Sequence, residues 1–216
     1  MSEYAQTKKR NVFFSFHYAD IMRVNNVRKS GEFKSAPSDI YGRNIEDFYD
    51  YSLWETKKRD SDAALKSFIT DGVDRTSAVC VLIGTNTFQR RWVRYEIARS
   101  VIDGRGLLAV HINSLNHHQP PYLPHKRGYN PCACMGVYRG DNGKFYLAEY
   151  NYVGSNWKWE RYQDYSLPVP VPKYMPAPNS SSVLKLSDFT TEYDWSQNGH
   201  QNIGGWIDMA AAEAGR

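Results

Sequence analysis

Three segments of the chain are almost continuously apolar: Asn11 to Tyr18, Thr76 to Gly84 and Leu107 to Ile112. Without polar alternation they predict strands buried on both faces. Phe48 to Trp54 is a weaker strand candidate of the same kind. The segments between them carry apolar residues at helical spacing. Ile21, Val24 and Val27 mark a helix over 19–28 with Asp20 available as its cap, and Leu65, Phe68 and Ile69 mark one from Asp60 to Asp71. Gly72 stands where a terminating glycine belongs. Lys29 to Asp47, with Gly31, Pro37 and Gly42, predicts a long loop. A third helix opens at Arg90, with Val93, Ile97, Ser100 and Val101 as its core stripe, and ends at Gly104 and Gly106. Strands and helices alternate, so residues 11–113 predict a parallel sheet with helices on both faces, a flavodoxin-like α/β fold.

After Asn113 the pattern changes. Ser114 to Pro131 reads as a proline-broken loop, and Cys134 to Tyr138 as a fifth strand. Tight-turn signals at Gly140 to Gly143 and at Gly154 to Asn156 separate Lys144 to Tyr150 from Trp157 to Tyr162, which predicts an antiparallel meander at the sheet edge. Ser166 to Ser182 carries five prolines and reads as extended, and Ile203 to Ala214 predicts a short terminal helix. The expected organisation is a flexible lead-in over 1–10, an α/β domain over 11–138, and an aromatic- and Pro-rich elaboration over 139–216 packed on that domain.

Composition narrows the function classes. A chain of 216 residues suits one good core. Aromatics make up 14% of it, with 16 Tyr and 6 Trp, which points to stacking surfaces or to packing of irregular segments. The net charge of +4 is spread among acidic residues, and Lys8-Lys9-Arg10 is too short for a nucleic-acid arm. No apolar run reaches the roughly 18 residues of a membrane span, and the first residues lack a signal-peptide core. The odd count of three cysteines makes a poor disulfide framework. The expectation is a cytoplasmic protein with no nucleic-acid or membrane partner. His117, His118, His125, Cys132 and Cys134 lie close together, but their spacing fits no common zinc pattern, so no metal is expected.

Candidate chemistry gathers at strand ends. Ser15-Phe16-His17-Tyr18 closes the first strand with polar and aromatic groups that can hold phosphates and stack a flat ring. On the third helix Trp92, Glu96 and Arg99 share a face beside the core stripe, just after the end of a strand, where open α/β sheets bind ligands. The plainer readings are a solvated glutamate beside a half-buried tryptophan and a structural His17. Asp20, Asp50 and Glu55 are further carboxylates near strand ends, and Trp54-Glu55 suits the same cleft as Glu96. Neither a dinucleotide-type glycine fingerprint nor a Gly-x-Ser-x-Gly elbow is present. Arg90, Arg91, Arg94 and Arg99 form a basic cluster that suits either a phosphate or an assembly interface.

Val12 to Tyr18, followed far downstream by Trp92-Val93-Arg94-Tyr95-Glu96, resembles the first and catalytic boxes of TIR domains. The likeness extends through Ser52 to Glu55, Ser61-Asp62, Cys80 to Gly84 and Thr87 to Trp92. As a set it is similar to the TIR-like proteins (ThsB type) of bacterial Thoeris anti-phage defence. The resemblance implies an enzyme that cleaves NAD+ at the nicotinamide–ribose bond and makes a cyclic or conjugated ADP-ribose signal. Glu96 is then the catalytic residue, with Phe16, His17, Tyr18, Trp54, Thr85, Asn86 and Trp92 lining the pocket. NAD+ is substrate, with no resident cofactor. The implied partners are a downstream effector reached by the diffusible signal, a phage-derived trigger and a second copy of the chain. The alternative within the resemblance is a non-catalytic TIR-type assembly module. A phosphoacceptor receiver on the same sheet ranks lower, because Asp20 alone does not supply its acidic cluster.

Overall fold

The computed structural model describes residues 10–30, 33, 45–46, 61–116, 119–120 and 122–216. Five strands run parallel in the order β2-β1-β3-β4-β9: β1 Val12–Phe16, β2 Ile45–Glu46, β3 Ala78–Ile83, β4 Gly106–His111 and β9 Glu192–Asp194. Every residue of β1, β3 and β4 is buried, as their unbroken apolar runs require. The outward steps in opposite directions from β1 make this the flavodoxin-like order.

Among the described residues, four helices cover the sheet. On one side α2 (Asp62–Asp74) and α3 (Arg91–Ile102) pack Leu65, Ile69, Val73, Val93, Ile97 and Val101 against Phe13, Val79 and Val81. On the other side α1 (Ile21–Arg28) and α4 (Gly199–Glu213) pack Val24, Val27, Ile203 and Ile207 against Val12, Phe14, Phe16 and Cys80. Successive β1 residues therefore face opposite layers, as the two-residue repeat of a strand demands. Each fully buried aliphatic contributes roughly 1.5–3 kcal/mol, so the two layers hold the sheet from both faces.

Several boundaries differ from expectation for physical reasons. The helix expected to stop at Gly72 continues to Asp74, because Val73 extends the stripe of Leu65 and Ile69 by another turn; Gly72 is buried inside the helix. Ser61 caps that helix, its Oγ accepting from the Ala64 amide at 3.1 Å. Cys134 to Tyr138 does contain a strand, β5 (Met135–Arg139), but it is not the fifth strand of the parallel sheet. A tight turn folds it antiparallel onto β6 (Phe145–Val153), whereas parallel pairing needs a long crossover. The vacant place beside β4 goes to β9, far along the chain. The terminal helix starts at Gly199, earlier than expected, where a Cβ would meet the Trp195 ring at 2.5 Å. Ile45–Glu46, within the expected loop, pairs with β1; the strand expected over 48–54 lies outside the described residues.

The remaining strands form a second, antiparallel sheet in the order β7-β6-β5-β8, with β7 at Asn156–Arg161 and β8 at Leu184–Lys185. Met135, Val137 and Leu147 of this sheet join the core layer of α3. The meander expected from alternation is thus a sheet of its own, covering the helix that carries Glu96. No helix among the described residues is long and apolar enough to cross a membrane.

Candidate active site

Glu96 lies on the sheet-facing side of α3 with 1% of its surface exposed. Ser15, next to the last residue of the otherwise apolar β1, is fully buried and donates its Oγ hydrogen to Glu96 Oε2 at 2.5 Å. Burial lifts the Glu96 pKa from its ordinary value to about 8, with the Ser15 hydrogen bond pulling the other way. In the ligand-free protein the side chain is thus mainly a neutral carboxylic acid at pH 7. A cation arriving nearby favours its ionised form and drives the proton off.

Around this pair the C-terminal ends of β1 and β3 come together. His17, half-buried just past β1, has its pKa lowered by burial and by the Arg90 charge, while the Asp20 charge opposes both. Tyr18 follows on the surface, 40% exposed. Asp20 is buried and pairs with Arg23 at 3.0 Å. Its carboxylate packs so closely on β3 that a Cβ at Gly84 would fall 2.0 Å from Oδ2. Beyond Gly84 the chain turns at Thr85 and Asn86 into a short 3-10 turn (Thr87–Gln89) that leads into α3. Thr87 Oγ1 holds this turn by accepting from the Gly84 amide at 2.9 Å.

The loop over 122–130 closes on the same end. Thr85 Oγ1 donates to the Lys126 carbonyl at 2.6 Å, and Gly128 sits where a Cβ would collide with the Gly84 carbonyl oxygen. Tyr129 meets Phe88 edge-on, with centroids 6.0 Å apart. The loop is fastened at its far side by Arg127, which reaches Asp194 at 2.6 Å and Glu192 at 3.0 Å. Glu192 also faces the buried His111 Nε2 at 2.7 Å. Hydrogen bonds from Asn130, His111 and Arg127 hold the Glu192 carboxyl below its ordinary pKa against the effect of burial, which is the largest influence and acts to raise it.

Among the residues expected at a pocket, the structure brings Glu96, His17, Thr85 and Asn86 to one end of the sheet, with Tyr18 at its rim. Phe16 is not brought to Glu96. It faces the α1 layer, 1% exposed, with the Arg28 guanidinium 5.6 Å over its ring. Trp92, one turn before Glu96, turns toward Tyr95, edge-to-face at 6.0 Å, and carries Arg91 over its ring at 4.6 Å. Trp54, with Asp50 and Glu55, lies outside the described residues. Beside α3, a cavity of about 260 Å³ lies between Gln89, Arg91, Arg94, Glu149, Asn151 and Tyr162. The geometry at Glu96 weighs more here than cavity size, since a buried, hydrogen-bonded carboxyl of shifted pKa is the chemically distinctive group.

Three of the clustered arginines have structural partners. Arg91 joins α3 to Asp62 at 2.7 Å and to Asp164 at 2.6 Å, and Arg94 reaches Glu149 at 3.2 Å and Asn151 at 2.5 Å on β6. Arg99 pairs with Asp103 one turn on. Cys132 and Cys134 are buried thiols in the turn Pro131–Cys134, their pKa values raised by burial.

Sequence reasoning passed over Ser15 as a site residue, yet its signal was present. A hydroxyl in the middle of a strand buried on both faces must find a partner, because an unpaired one costs a few kcal/mol. The pairing of Asp20 with Arg23 and its packing on Gly84 had no comparable signal in the sequence.

Comparison with known proteins matches residues 13–117 to the family model described as "Thoeris protein ThsB, TIR-like domain". The chain is also similar to a protein of Bacillus cereus (strain MSX-D12) that carries the provisional name cyclic ADP-D-ribose synthase ThsB1. The two are 36% identical over 202 residues, spanning 92% of this chain and 99% of the relative. The matched region contains β1 from Phe13 on, β3, α3 and β4, and with them both Ser15 and Glu96.

Proposed function

The chain belongs to the TIR-like family of the Thoeris protein ThsB, and we propose that it cleaves NAD+ and makes a cyclic ADP-ribose signal, with Glu96 as the catalytic carboxylate. In this reaction the bond between the ribose carbon and the nicotinamide nitrogen breaks. Its electron pair leaves with nicotinamide, which departs neutral and needs no proton. The ribose is left as an oxocarbenium-like cation, and a nucleophile within the same ADP-ribosyl group closes on it, one proton passing to solvent as the ring forms.

The observation that carries this reading is the buried pair of Glu96 and Ser15 at the end of β1. A carboxylate in a dry setting stabilises a developing cation far more than one in water. The raised pKa of Glu96 adds a substrate-linked step. The positively charged nicotinamide ring of NAD+ favours the ionised carboxylate, so binding expels the proton and charges Glu96 beside the bond that breaks. Ser15 donates to that carboxylate and fixes its orientation. His17, Tyr18, Thr85 and Asn86 form the surrounding rim, and Trp92 backs α3 through Tyr95 and Arg91. Exclusion of water there favours ring closure over hydrolysis.

On this reading NAD+ is substrate and not a resident cofactor. The product is a diffusible signal to an effector in anti-phage defence, raised in the cytoplasm in response to a phage-derived trigger. A solvent-exposed Glu96 would suit a purely scaffolding module, whereas a buried, Ser15-paired carboxyl of raised pKa supports catalysis. Incubation of the purified protein with NAD+, with mass analysis of the products, tests the proposal. Nicotinamide together with a product of the mass of NAD+ less nicotinamide is expected. Intact NAD+ in the presence of lysate from phage-infected cells would refute it.

A further inference from the structure

Four aromatic residues gather on one surface of the second sheet. Tyr150 and Tyr152 of β6 stand directly opposite Trp159 and Trp157 of β7, so all four share the outer face of this ribbon. Tyr150 stacks on Trp157 at 5.4 Å and tilts against Trp159 at 5.1 Å, and Tyr152 meets Trp157 at 5.7 Å. Tyr152 is 63% and Trp157 48% exposed, a large apolar area to leave in water. Among the described residues β7 is also the edge strand of its sheet, paired on one side with β6. An edge strand offers a row of backbone groups to another strand.

The register of the hairpin shows which groups those are. Gly154 and Ser155, at φ of 55° and 76°, form a two-residue turn closed by Val153 and Asn156. The closing pair of such a turn is hydrogen-bonded, and bonded and non-bonded pairs then alternate along the ladder. Asn156, Lys158 and Glu160 thus aim their N–H and C=O groups at β6, while Trp157 and Trp159 aim theirs outward. At the end of the strand Gln163 Nε2 donates to the Arg161 carbonyl at 3.0 Å, and the Arg161 guanidinium lies 4.2 Å over the Tyr146 ring. The open edge therefore centres on Trp159.

We propose that β7 pairs antiparallel with β7 of a second copy of this chain, about a two-fold axis through Trp159. In this register Trp159 bonds its own counterpart through two backbone hydrogen bonds. Lys158 faces Glu160 of the second copy and Glu160 faces its Lys158, both at non-bonded positions, where side chains approach closest. Centring the axis on Lys158 or Glu160 would oppose like charges, and centring it on Trp157 would set Lys158 against Asn156 and Glu160 against Gly154, so the charge pattern favours a second copy in the Trp159 register. The tryptophans of both copies then form one continuous aromatic face. Lys158 and Glu160 lie 3.4 Å apart within one chain, 53% and 38% exposed, and are free to turn to the partner. Through Glu149 and Asn151 of β6, the paired ribbon is fastened to Arg94, two residues before Glu96.

Sedimentation of the full-length protein across a range of concentrations tests the proposal. Wild type is expected to dimerise reversibly. Lys158→Glu and Glu160→Lys each oppose like charges at both contacts and are expected to weaken dimerisation at least about tenfold. Mixed together, these two variants place opposite charges at both contacts and are expected to form a heterodimer, and the double swap K158E/E160K is expected to restore the homodimer. The mixture separates loss of the interface from loss of folding, since a misfolded variant would not pair. A wild type that stays monomeric, single variants that dimerise as wild type does, or a mixture that fails to associate would each overturn it.

Discussion

Ser15 and Glu96, 81 positions apart in the chain, meet in a buried hydrogen bond of 2.5 Å that links β1 to α3 above it. A hydroxyl can donate to either form of the carboxyl, but a charged acceptor makes the stronger bond. Ser15 therefore opposes burial, which alone would push Glu96 higher still. Ser15→Ala removes this donor. The alkaline-going limb of nicotinamide release against pH is expected to move to higher pH, with activity at pH 7 down about tenfold, the effect of a bond to a charged group. Ser15→Thr, which keeps the hydroxyl, is expected to restore part of the loss.

The pH dependence of the wild type follows from the same group. With a pKa of about 8 in the free protein, the ionised fraction of Glu96 grows as pH rises toward 8 and levels off above it. For NAD+ cleavage kcat/KM is expected to climb over that window. The kcat limb is expected to lie lower, because the bound cation favours the carboxylate. A kcat/KM that is flat from pH 6 to 9 would remove Glu96 ionisation from the reaction.

Stability carries the opposite sign. The folded-state pKa of Glu96 is raised above its ordinary value of 4.5, so the folded protein holds a proton that the unfolded chain has lost. This contribution is fully present below about 4.5 and is lost as pH rises through about 8. Glu96→Gln keeps the shape and the acceptor for Ser15 without the charge. It is expected to stabilise the fold by on the order of 2–4 kcal/mol at pH 8 and by little at pH 4.5, read from melting temperature against pH.

Arg94 fastens the second sheet to α3, with 11% of its side chain exposed and Glu149 at 14%. Arg94→Met leaves Glu149 partly buried without its cation and is expected to cost about 1–3 kcal/mol in chemical denaturation. Glu149→Gln in the same chain is expected to recover much of that loss, as a double-mutant cycle would show.

Gly84 has no room for a side chain, because the Asp20 carboxylate occupies the place of its Cβ. Gly84→Ala is expected to cost about 2 kcal/mol or more, since Asp20 must shift and weaken its pairing with the buried Arg23. In an Asp20→Ala background the same change is expected to cost much less, read as a coupling between the two positions in denaturation.

The sequence carried the parallel sheet because β1, β3 and β4 are apolar on both faces, a pattern that only a doubly covered sheet accepts. The place of β9 was not legible. Its three residues, Glu192–Asp194, carry no apolar run, and ion pairs to Arg127 and a hydrogen bond with His111 accompany its pairing to β4. Glu96 was legible as a candidate from its strand–helix context, whereas its depth was not, because helical spacing places it beside the core stripe and not within it. Its burial comes from Ser15, which offers a polar partner inside the layer. The same two-residue repeat sends Phe16 to the opposite layer, so naming Phe16 with Glu96 put neighbours in sequence on one face of a strand that separates them.

The most direct measurement compares nicotinamide release from NAD+ by the wild type and by Glu96→Gln at pH 8, with folding of both verified by circular dichroism. Release with a cyclic ADP-ribose product is expected from the wild type. A loss of at least about a thousandfold is expected in the variant, the scale on which a buried charge-stabilising group acts. Turnover by a folded Glu96→Gln protein at the wild-type rate would contradict the catalytic role of Glu96.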